Sequence, residues 1–205
     1  MIYSFTLKDV IMSNDNDTEF AFVIEGILNR NGVIVIESVK QQDQLRGKGY
    51  GEKIKDTYIL ESYEALFLLY SKRLVLKKQK TILDFSNFLQ TLLKIDLSIF
   101  TKFLIFRDLR TRGYIAKEGF GFGNDFRVYE RGEYSRKAAK YVIFGINEGI
   151  SIKANQLFEN IRSIEKMGKA AIIAVIERRG EIIYYKVNLK SFSQNIKLLP
   201  EQNIA

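Results

Sequence analysis

The sequence predicts an α+β N-terminal domain followed by an α/β C-terminal domain with a central mixed sheet. Three observations lead to this fold class: short runs of β-branched and aromatic residues near the start, helical spacing of apolar residues in the middle, and alternating strands around one helix near the end. A chain of 205 residues buries enough apolar surface to fold without disulfides, and this one has no Cys.

Several short strands are predicted within residues 2–37, which contain the segments EFAFVIEGILN and GVIVIESV. Asn, Asp and Gly cluster at residues 13–17 and 29–32, where we expect turns. The glycine-rich segment RGKGYGEK, residues 46–53, lacks the Gly-Lys-Ser/Thr ending of a phosphate-binding loop and does not match G-x-G-x-x-G. It therefore gives little support to a nucleotide site.

Three helices are predicted in the middle of the chain. The first covers residues 62–71 with Ser62 as its N-cap, and the second covers residues 82–93 with Asp84 near its start, where a negative charge favours the helix dipole. The third follows from apolar residues at helical spacing over residues 97–113, and it ends at Gly113.

The C-terminal half predicts a sheet. A pair of strands is predicted within residues 114–132, and another strand is predicted from Tyr141. A helix is predicted over residues 154–164. A closing hairpin turns at Arg179 and Gly180.

Charge is distributed unevenly along the chain, which we divide into an N-terminal domain of residues 1–94, a C-terminal domain of residues 95–190 and a tail of residues 191–205. The first 94 residues hold 13 Lys and Arg against 12 Asp and Glu, whereas the remainder holds 19 against 12. An excess of positive charge in one half suits an anionic partner such as nucleic acid. A solvated basic surface would give the same count.

The composition excludes several kinds of chemistry. With no His and no Cys, the chain has no thiolate nucleophile and no imidazole acid or base, and it lacks the usual ligands of zinc and copper. We expect no metal and no cofactor. The sequence shows no run of eighteen apolar residues and no signal-peptide pattern at its start, which predicts a cytoplasmic protein without membrane contact.

Two long segments resemble the archaeal tRNA-splicing endonucleases. FRDLRTRGYIAKEGFGFGNDFRVYERG, residues 106–132, is similar to the signature of the catalytic domain in that family, a helix ending in R-D-L-R-x-R-G-Y followed by K-x-G-F-x-F-G-x-D-F-x-V-Y. RGKGYGEKIKDTYILESYEALFLLYSKRLVL, residues 46–76, resembles the N-terminal domain of the family in its glycine spacing and its E-A-L-x-L-L helix. The C-terminal domain is therefore expected to be nuclease-like.

The resemblance implies a metal-independent cleavage that leaves a 2′,3′-cyclic phosphate and a 5′-hydroxyl. In the family a Tyr acts as general base, a His as general acid, and a Lys stabilises the charged transition state. Tyr129 falls on the Tyr position and Lys169 on the Lys position. Arg162 falls where the family places an Arg that packs against a base at the cut site.

Ala138 stands at the position of the general acid, three residues before Tyr141. Lys137 and Lys140, on either side of it, either contact RNA phosphates or line an exposed loop. Neither is expected to replace the imidazole, because an ammonium with a pKa of about 10.4 is a poor proton donor at pH 7. The family's His-Ser pair before the Lys is also absent, and Glu165 and Lys166 stand there.

These departures leave three hypotheses open. The chain is the structural, non-catalytic subunit of a tRNA-splicing endonuclease that acts at bulge-helix-bulge sites; or it is a catalytic subunit whose His has been replaced by Ala; or it is an RNA-binding assembly protein on the same fold. The first is preferred, because Glu165 and Lys166 mark a second departure from the family's site.

The resemblance also implies partners, namely precursor tRNA and a catalytic paralogous subunit, arranged as a heterotetramer of two heterodimers. The apolar strands of the closing hairpin offer an edge for such pairing. In the family an acidic loop of one subunit enters a basic groove of another, but the loop of residues 177–181 carries no net charge here.

Overall fold

The computed structural model describes residues 22–123 and 125–190. Its five helices are α1 (Val39–Gly47), α2 (Ser62–Tyr70), α3 (Phe85–Leu93), α4 (Ile99–Thr111) and α5 (Ala154–Lys166). Its eleven strands are β1 (Ile24–Leu28), β2 (Ile34–Ile36), β3 (Glu52–Ile54), β4 (Thr57–Leu60), β5 (Leu74–Lys78), β6 (Thr81–Leu83), β7 (Ile115–Glu118), β8 (Asp125–Tyr129), β9 (Tyr141–Asn147), β10 (Ala170–Ile176) and β11 (Ile182–Val187).

The first six strands form one mixed sheet in the order β3-β4-β2-β1-β5-β6. Its single parallel pair joins β1 to β5, with Ile24 opposite Leu74, and the crossover between these strands contains α2. The turn expected near residues 29–32 is present, and Gly32 supplies a φ of +80°. The other predicted turn, at residues 13–17, lies outside the described residues.

The last five strands form a second mixed sheet in the order β11-β10-β9-β8-β7. Strands β9 and β10 are parallel, with Tyr141 opposite Ala170, and α5 forms the crossover between them. All other pairs are antiparallel. The closing hairpin confirms the predicted turn, in which Gly180 adopts a φ of +80°.

The two faces of the second sheet belong to different cores. Side chains such as Val128, Ile143 and Ala174 join the large core that also contains the first sheet, α2 and α4. Side chains one residue out of phase, such as Val142 and Ala171, form a smaller core with α5. Because the large core runs from one sheet to the other, the boundary at residue 94 stays a prediction.

A buried ion pair joins the two halves of the chain. The Lys117 ammonium on β7 lies 2.9 Å from the Glu64 carboxylate on α2, and both side chains are at most 9% exposed. Lys117 also donates to the carbonyl of Gly51, and Glu64 accepts from the Gly51 and Glu61 backbone N–H groups. Every charge in this cluster therefore has hydrogen-bond partners.

The predicted helices differ from the observed ones at their starts. Ser62 is not the N-cap of α2: Glu61 is, and it forms a capping box with Glu64. The observed helix α3 begins three residues later than predicted, at Phe85 and not at residue 82. Residues 81–83 form strand β6 instead, and the Asp84 carboxylate accepts from the Asn87 N–H at 2.7 Å and caps the helix. The third predicted helix ends near Gly113 as expected, at a φ of +81°.

Helix α1 is absent from the predicted elements, and its segment VKQQDQLRG buries only Leu45. The predicted tail of residues 191–205 lies outside the described residues. Within the part of the chain that the structure describes, no helix has the length and apolar character needed to cross a membrane.

Candidate active site on the second sheet

Three of the predicted site residues lie in one row across the second sheet. Tyr129 is the last residue of β8, Lys140 directly precedes β9, and Lys169 directly precedes β10. The row follows from the pairing next to it, in which Tyr141 lies opposite both Val128 and Ala170. Backbone hydrogen bonds from Lys140 N to Val128 O and from Ala170 N to Lys140 O extend it.

The row places Tyr129 and Lys169 two strands apart, or about 10 Å between backbones. Side chains along a strand alternate between the two faces of the sheet, and those of Val128 and Ile172 belong to the large core. Tyr129 and Lys169 lie an odd number of positions from these residues, one and three respectively. Their side chains therefore lie on the face of the sheet that carries α5. The structure thus brings the predicted base and the predicted cation to one end of one face.

Lys169 is hydrogen-bonded to the segment that contains Ala138, the predicted position of the acid. Its ammonium donates to the carbonyl of Ala139 at 2.7 Å, and it lies 5.9 Å from the centroid of the Phe120 ring. The side chain is half-buried. One of its three N–H donors is used by Ala139, and the remaining two suit an anionic oxygen.

Ala138 is exposed in the loop between β8 and β9, next to the buried Ala139. A side chain longer than methyl at this position meets solvent and not the core. The structure therefore places the predicted acid position at the surface, one residue from the carbonyl that binds Lys169.

The two lysines beside Ala138 are both paired with carboxylates of the same loop. Lys137 forms an ion pair with Glu133, and Lys140 forms one with Glu130. The hydrogen bond from Lys140 lowers the pKa of Glu130, and the carboxylates raise the pKa of both lysines. Their charges are consequently balanced within the loop and are less available to phosphate than the sequence suggested.

Arg162 lies on the exposed surface of α5 and is the least constrained of the predicted RNA-binding residues. Its nearest carboxylate is that of Glu159, at 4.0 Å, and the two side chains are 53% and 64% exposed. Glu165, one of the residues in place of the family's His-Ser pair, accepts from the Leu189 N–H at 2.9 Å. Glu165 therefore has a structural contact that anchors the chain after β11, and this contact gives no support to a catalytic role.

Three residues that sequence reasoning missed surround the row. Tyr134 packs edge-on against Tyr129 with the ring centroids 5.0 Å apart. Glu130 accepts from the Tyr141 hydroxyl at 2.8 Å, and this bond raises the pKa of Tyr141. Phe120 contacts Lys169 from the β7–β8 loop. Tyr134 lies in the irregular loop 130–140, where no periodicity predicts contacts.

Comparison with known proteins matches both halves of the chain. A model described as the tRNA intron endonuclease N-terminal domain matches residues 24–89, and one described as the tRNA intron endonuclease catalytic C-terminal domain matches residues 99–184. The tRNA-splicing endonuclease of Methanothermobacter thermautotrophicus is 32% identical over 167 residues, which are 80% of this chain and 96% of that protein. The chain belongs to the tRNA-splicing endonuclease family.

Other members of the family show similar coverage. The tRNA-splicing endonuclease of Methanococcus vannielii is 29% identical over 155 residues, 75% of this chain and 88% of its own. That of Pyrococcus furiosus is 29% identical over 157 residues, 76% of this chain and 91% of its own. The matched domains carry the two sheets, so the family membership and the α/β architecture agree.

The site offers no set of metal ligands. Within residues 22–123 and 125–190, no three acidic side chains come close enough to hold an ion, and the chain has no His or Cys. The chemistry available from the described side chains is a phenol, an ammonium and a guanidinium, namely those of Tyr129, Lys169 and Arg162.

Proposed function

We propose that this chain is a subunit of a tRNA-splicing endonuclease that excises introns from precursor tRNA at bulge-helix-bulge sites and that it does not itself supply the general acid. The observation that carries the proposal is the row formed by Tyr129 and Lys169, with Ala138 at the acid position in a chain without His.

Cleavage of RNA without metal needs two proton transfers. A base removes the proton of the 2′-hydroxyl, whose oxygen attacks the adjacent phosphorus and forms the cyclic phosphate, while an acid protonates the 5′-oxygen that leaves. Tyr129 occupies the base position, and Lys169 can stabilise charge on the phosphoryl oxygens. Ala138 has no proton to give, and loss of a general acid costs about a hundred- to ten-thousand-fold in rate.

The neighbouring lysines do not repair this loss. Ion pairing with Glu133 and Glu130 raises the pKa of Lys137 and Lys140 above the ordinary value of 10.5. A higher pKa makes each ammonium a weaker acid at neutral pH. The proposal therefore assigns cleavage to a catalytic paralogous subunit that carries a complete site.

The edge of the second sheet supports assembly with such a subunit. Strand β11 is the outer strand, and its Ile183 and Tyr185 side chains are 39% and 51% exposed. Strand β11 pairs with β10 on one side only, and exposed apolar residues on such an edge strand favour contact with another chain. A heterotetramer of two heterodimers is the arrangement that we propose.

The test measures cleavage of an intron-containing precursor tRNA by the chain alone, with a catalytic paralogue, and after the substitution Ala138→His. We expect no cleavage by the chain alone and cleavage with the paralogue. Ala138→Gln is the matched control, because it adds a polar side chain without an imidazole. Cleavage by the unaltered chain alone at ordinary enzymatic rates would overturn the proposal.

The Ala138→His variant distinguishes two hypotheses, a structural subunit and a catalytic subunit whose His has been replaced by Ala. If it cleaves alone and loses that activity on Tyr129→Phe, the chain is a catalytic subunit that lacks one side chain. If it stays inactive while the mixed complex cleaves, the structural role is supported. Full cleavage by the paralogue without this chain would favour an assembly protein instead.

A further inference from the structure

Among the described residues of the β7–β8 hairpin, Tyr129 is half-buried and Phe120 is the exposed aromatic residue. Its side chain is 42% exposed, whereas Phe126 is fully buried and Phe122 packs against the smaller core. The described residues 115–123 and 125–129 contain no other large exposed apolar side chain. An isolated exposed ring is too small for a protein docking patch, which requires several hundred Å² of apolar surface.

Two hydrogen bonds hold the backbone that carries this ring. The Phe120 N–H donates to the Asp125 carboxylate at 2.5 Å, and the Gly119 N–H donates to the Asp125 carbonyl at 3.1 Å. Gly121 follows with a φ of +90°, which an L side chain rarely adopts. A ligand that stacks on Phe120 therefore pays little entropy for ordering the loop.

The ring also lies beside the candidate site. Its centroid is 5.9 Å from the Lys169 ammonium, and Lys169 shares a row with Tyr129. We propose that Phe120 is a stacking platform for an unpaired base of the RNA, next to the phosphate that Lys169 contacts. This inference rests on the proposed function, because it takes RNA as the partner.

The chemistry of unpaired nucleotides fits this arrangement. Bases in bulges can swing out of the helix and stack on aromatic side chains, while nearby cations bind the phosphates. Lys169 supplies a cation next to the ring, and Arg162 on α5 adds a second, exposed cation that belongs to the same half of the chain. A ring and an ammonium about 6 Å apart suit the base and the phosphate of one nucleotide.

The test uses the full chain and an RNA hairpin that carries 2-aminopurine at a bulge position. The fluorescence of this base is quenched on stacking, and anisotropy of a fluorescein at the end of the same RNA reports total binding. The variants are Phe120→Ala, Phe120→Leu and Phe120→Tyr. Phe22→Ala is the matched control, because Phe22 is 43% exposed and lies before the first sheet. Thermal unfolding checks that each variant is folded.

We expect Phe120→Ala and Phe120→Leu to abolish the quenching and to weaken binding of the bulged RNA about tenfold, whereas Phe120→Tyr keeps both. A fully paired hairpin should bind all variants equally. If the RNA binds but the quenching is the same in wild type and Phe120→Ala, the inference is wrong and the proposed function stands. If the chain binds no RNA by anisotropy, the inference is wrong, and cleavage by the complex with the paralogue decides the proposed function separately.

Discussion

The Lys117 ammonium lies 2.9 Å from the Glu64 carboxylate in the interior, between a strand of the second sheet and a helix that packs on the first. Both partners are also bonded to the backbone of Gly51. The pair therefore fixes the loop before β3 against β7 as well as the helix against the strand. Arg110 of the second half also donates to the Tyr50 hydroxyl of the first at 3.0 Å, and apolar side chains of both halves form one core.

Removal of Lys117 should be costly. We expect Lys117→Met to lower the free energy of unfolding by about 3–5 kcal/mol, because it leaves the Glu64 carboxylate buried without its cation. Adding Glu64→Gln to that variant should recover part of the loss. Lys77→Met is the control, since the Lys77–Glu25 pair is exposed and should contribute less than about 1 kcal/mol. Denaturant unfolding measures all four proteins, and equal losses for Lys77→Met and Lys117→Met would contradict the prediction.

Gly119 should not tolerate a side chain. A Cβ at this position collides with the Asp125 carboxylate and lies 2.8 Å from the Asp125 carbonyl carbon. We expect Gly119→Ala to destabilise the fold by about 1–3 kcal/mol or more and to release the Phe120 loop. Gly47→Ala is the matched control, because a Cβ there meets nothing within 4 Å. Chemical denaturation of both variants checks the difference, which should be absent if the loop can shift freely.

Two carboxylates should give opposite dependences of stability on pH. Burial raises the pKa of Asp125 above its ordinary 3.8, so its contribution to stability is complete below pH 3.8 and is lost as the pH rises through the raised pKa. The Lys140 hydrogen bond lowers the pKa of Glu130 below 4.5, so its contribution is present above pH 4.5 and is lost as the pH falls through the lowered pKa.

The measurement compares the free energy of unfolding of wild type with that of Asp125→Asn and of Glu130→Gln as the pH rises from 3 to 8. The advantage of wild type over Asp125→Asn should shrink, and its advantage over Glu130→Gln should grow. Slopes of the same sign would show that burial does not dominate at Asp125 or that the Lys140 contact is absent in solution.

Arg162 should contribute more than Lys137 to the salt dependence of RNA binding. Arg162 is exposed and only loosely paired, at 4.0 Å from Glu159, whereas Lys137 is committed to Glu133. We expect Arg162→Met to reduce the slope of log K against log salt by about 0.7–0.9, the value for one phosphate contact. Lys137→Met should change it less. Binding titrations at several salt concentrations decide, and a larger effect at Lys137 would reverse the ranking.

The strands and the positions of the site residues could be predicted from sequence, whereas their contacts could not. Tyr129 and Lys169 were assigned from a resemblance in motifs, but their common row depends on the parallel pairing of β9 with β10. Parallel strands are joined by a long crossover, here the one that contains α5, so no local turn pattern identifies them as partners. Likewise, Glu64 and Lys117 are 53 positions apart and look like ordinary charged residues of an amphipathic helix and strand.

Local competition explains the errors in the helices. Helical spacing continues from Ile82 to Leu93, yet pairing of Ile82 with Lys77 and the cap formed by Asp84 hold the first residues in a strand. Helix α1 escaped prediction because it buries only Leu45, so the sequence shows no apolar stripe.

The bond between the Lys169 ammonium and the Ala139 carbonyl ties the cation to the peptide that follows Ala138. A rearrangement of that loop would therefore also move the ammonium. A larger side chain at position 138 would lie one residue from the carbonyl that binds Lys169. Insertions within the loop should therefore disturb the position of the Lys169 ammonium far more than exchanges of single residues.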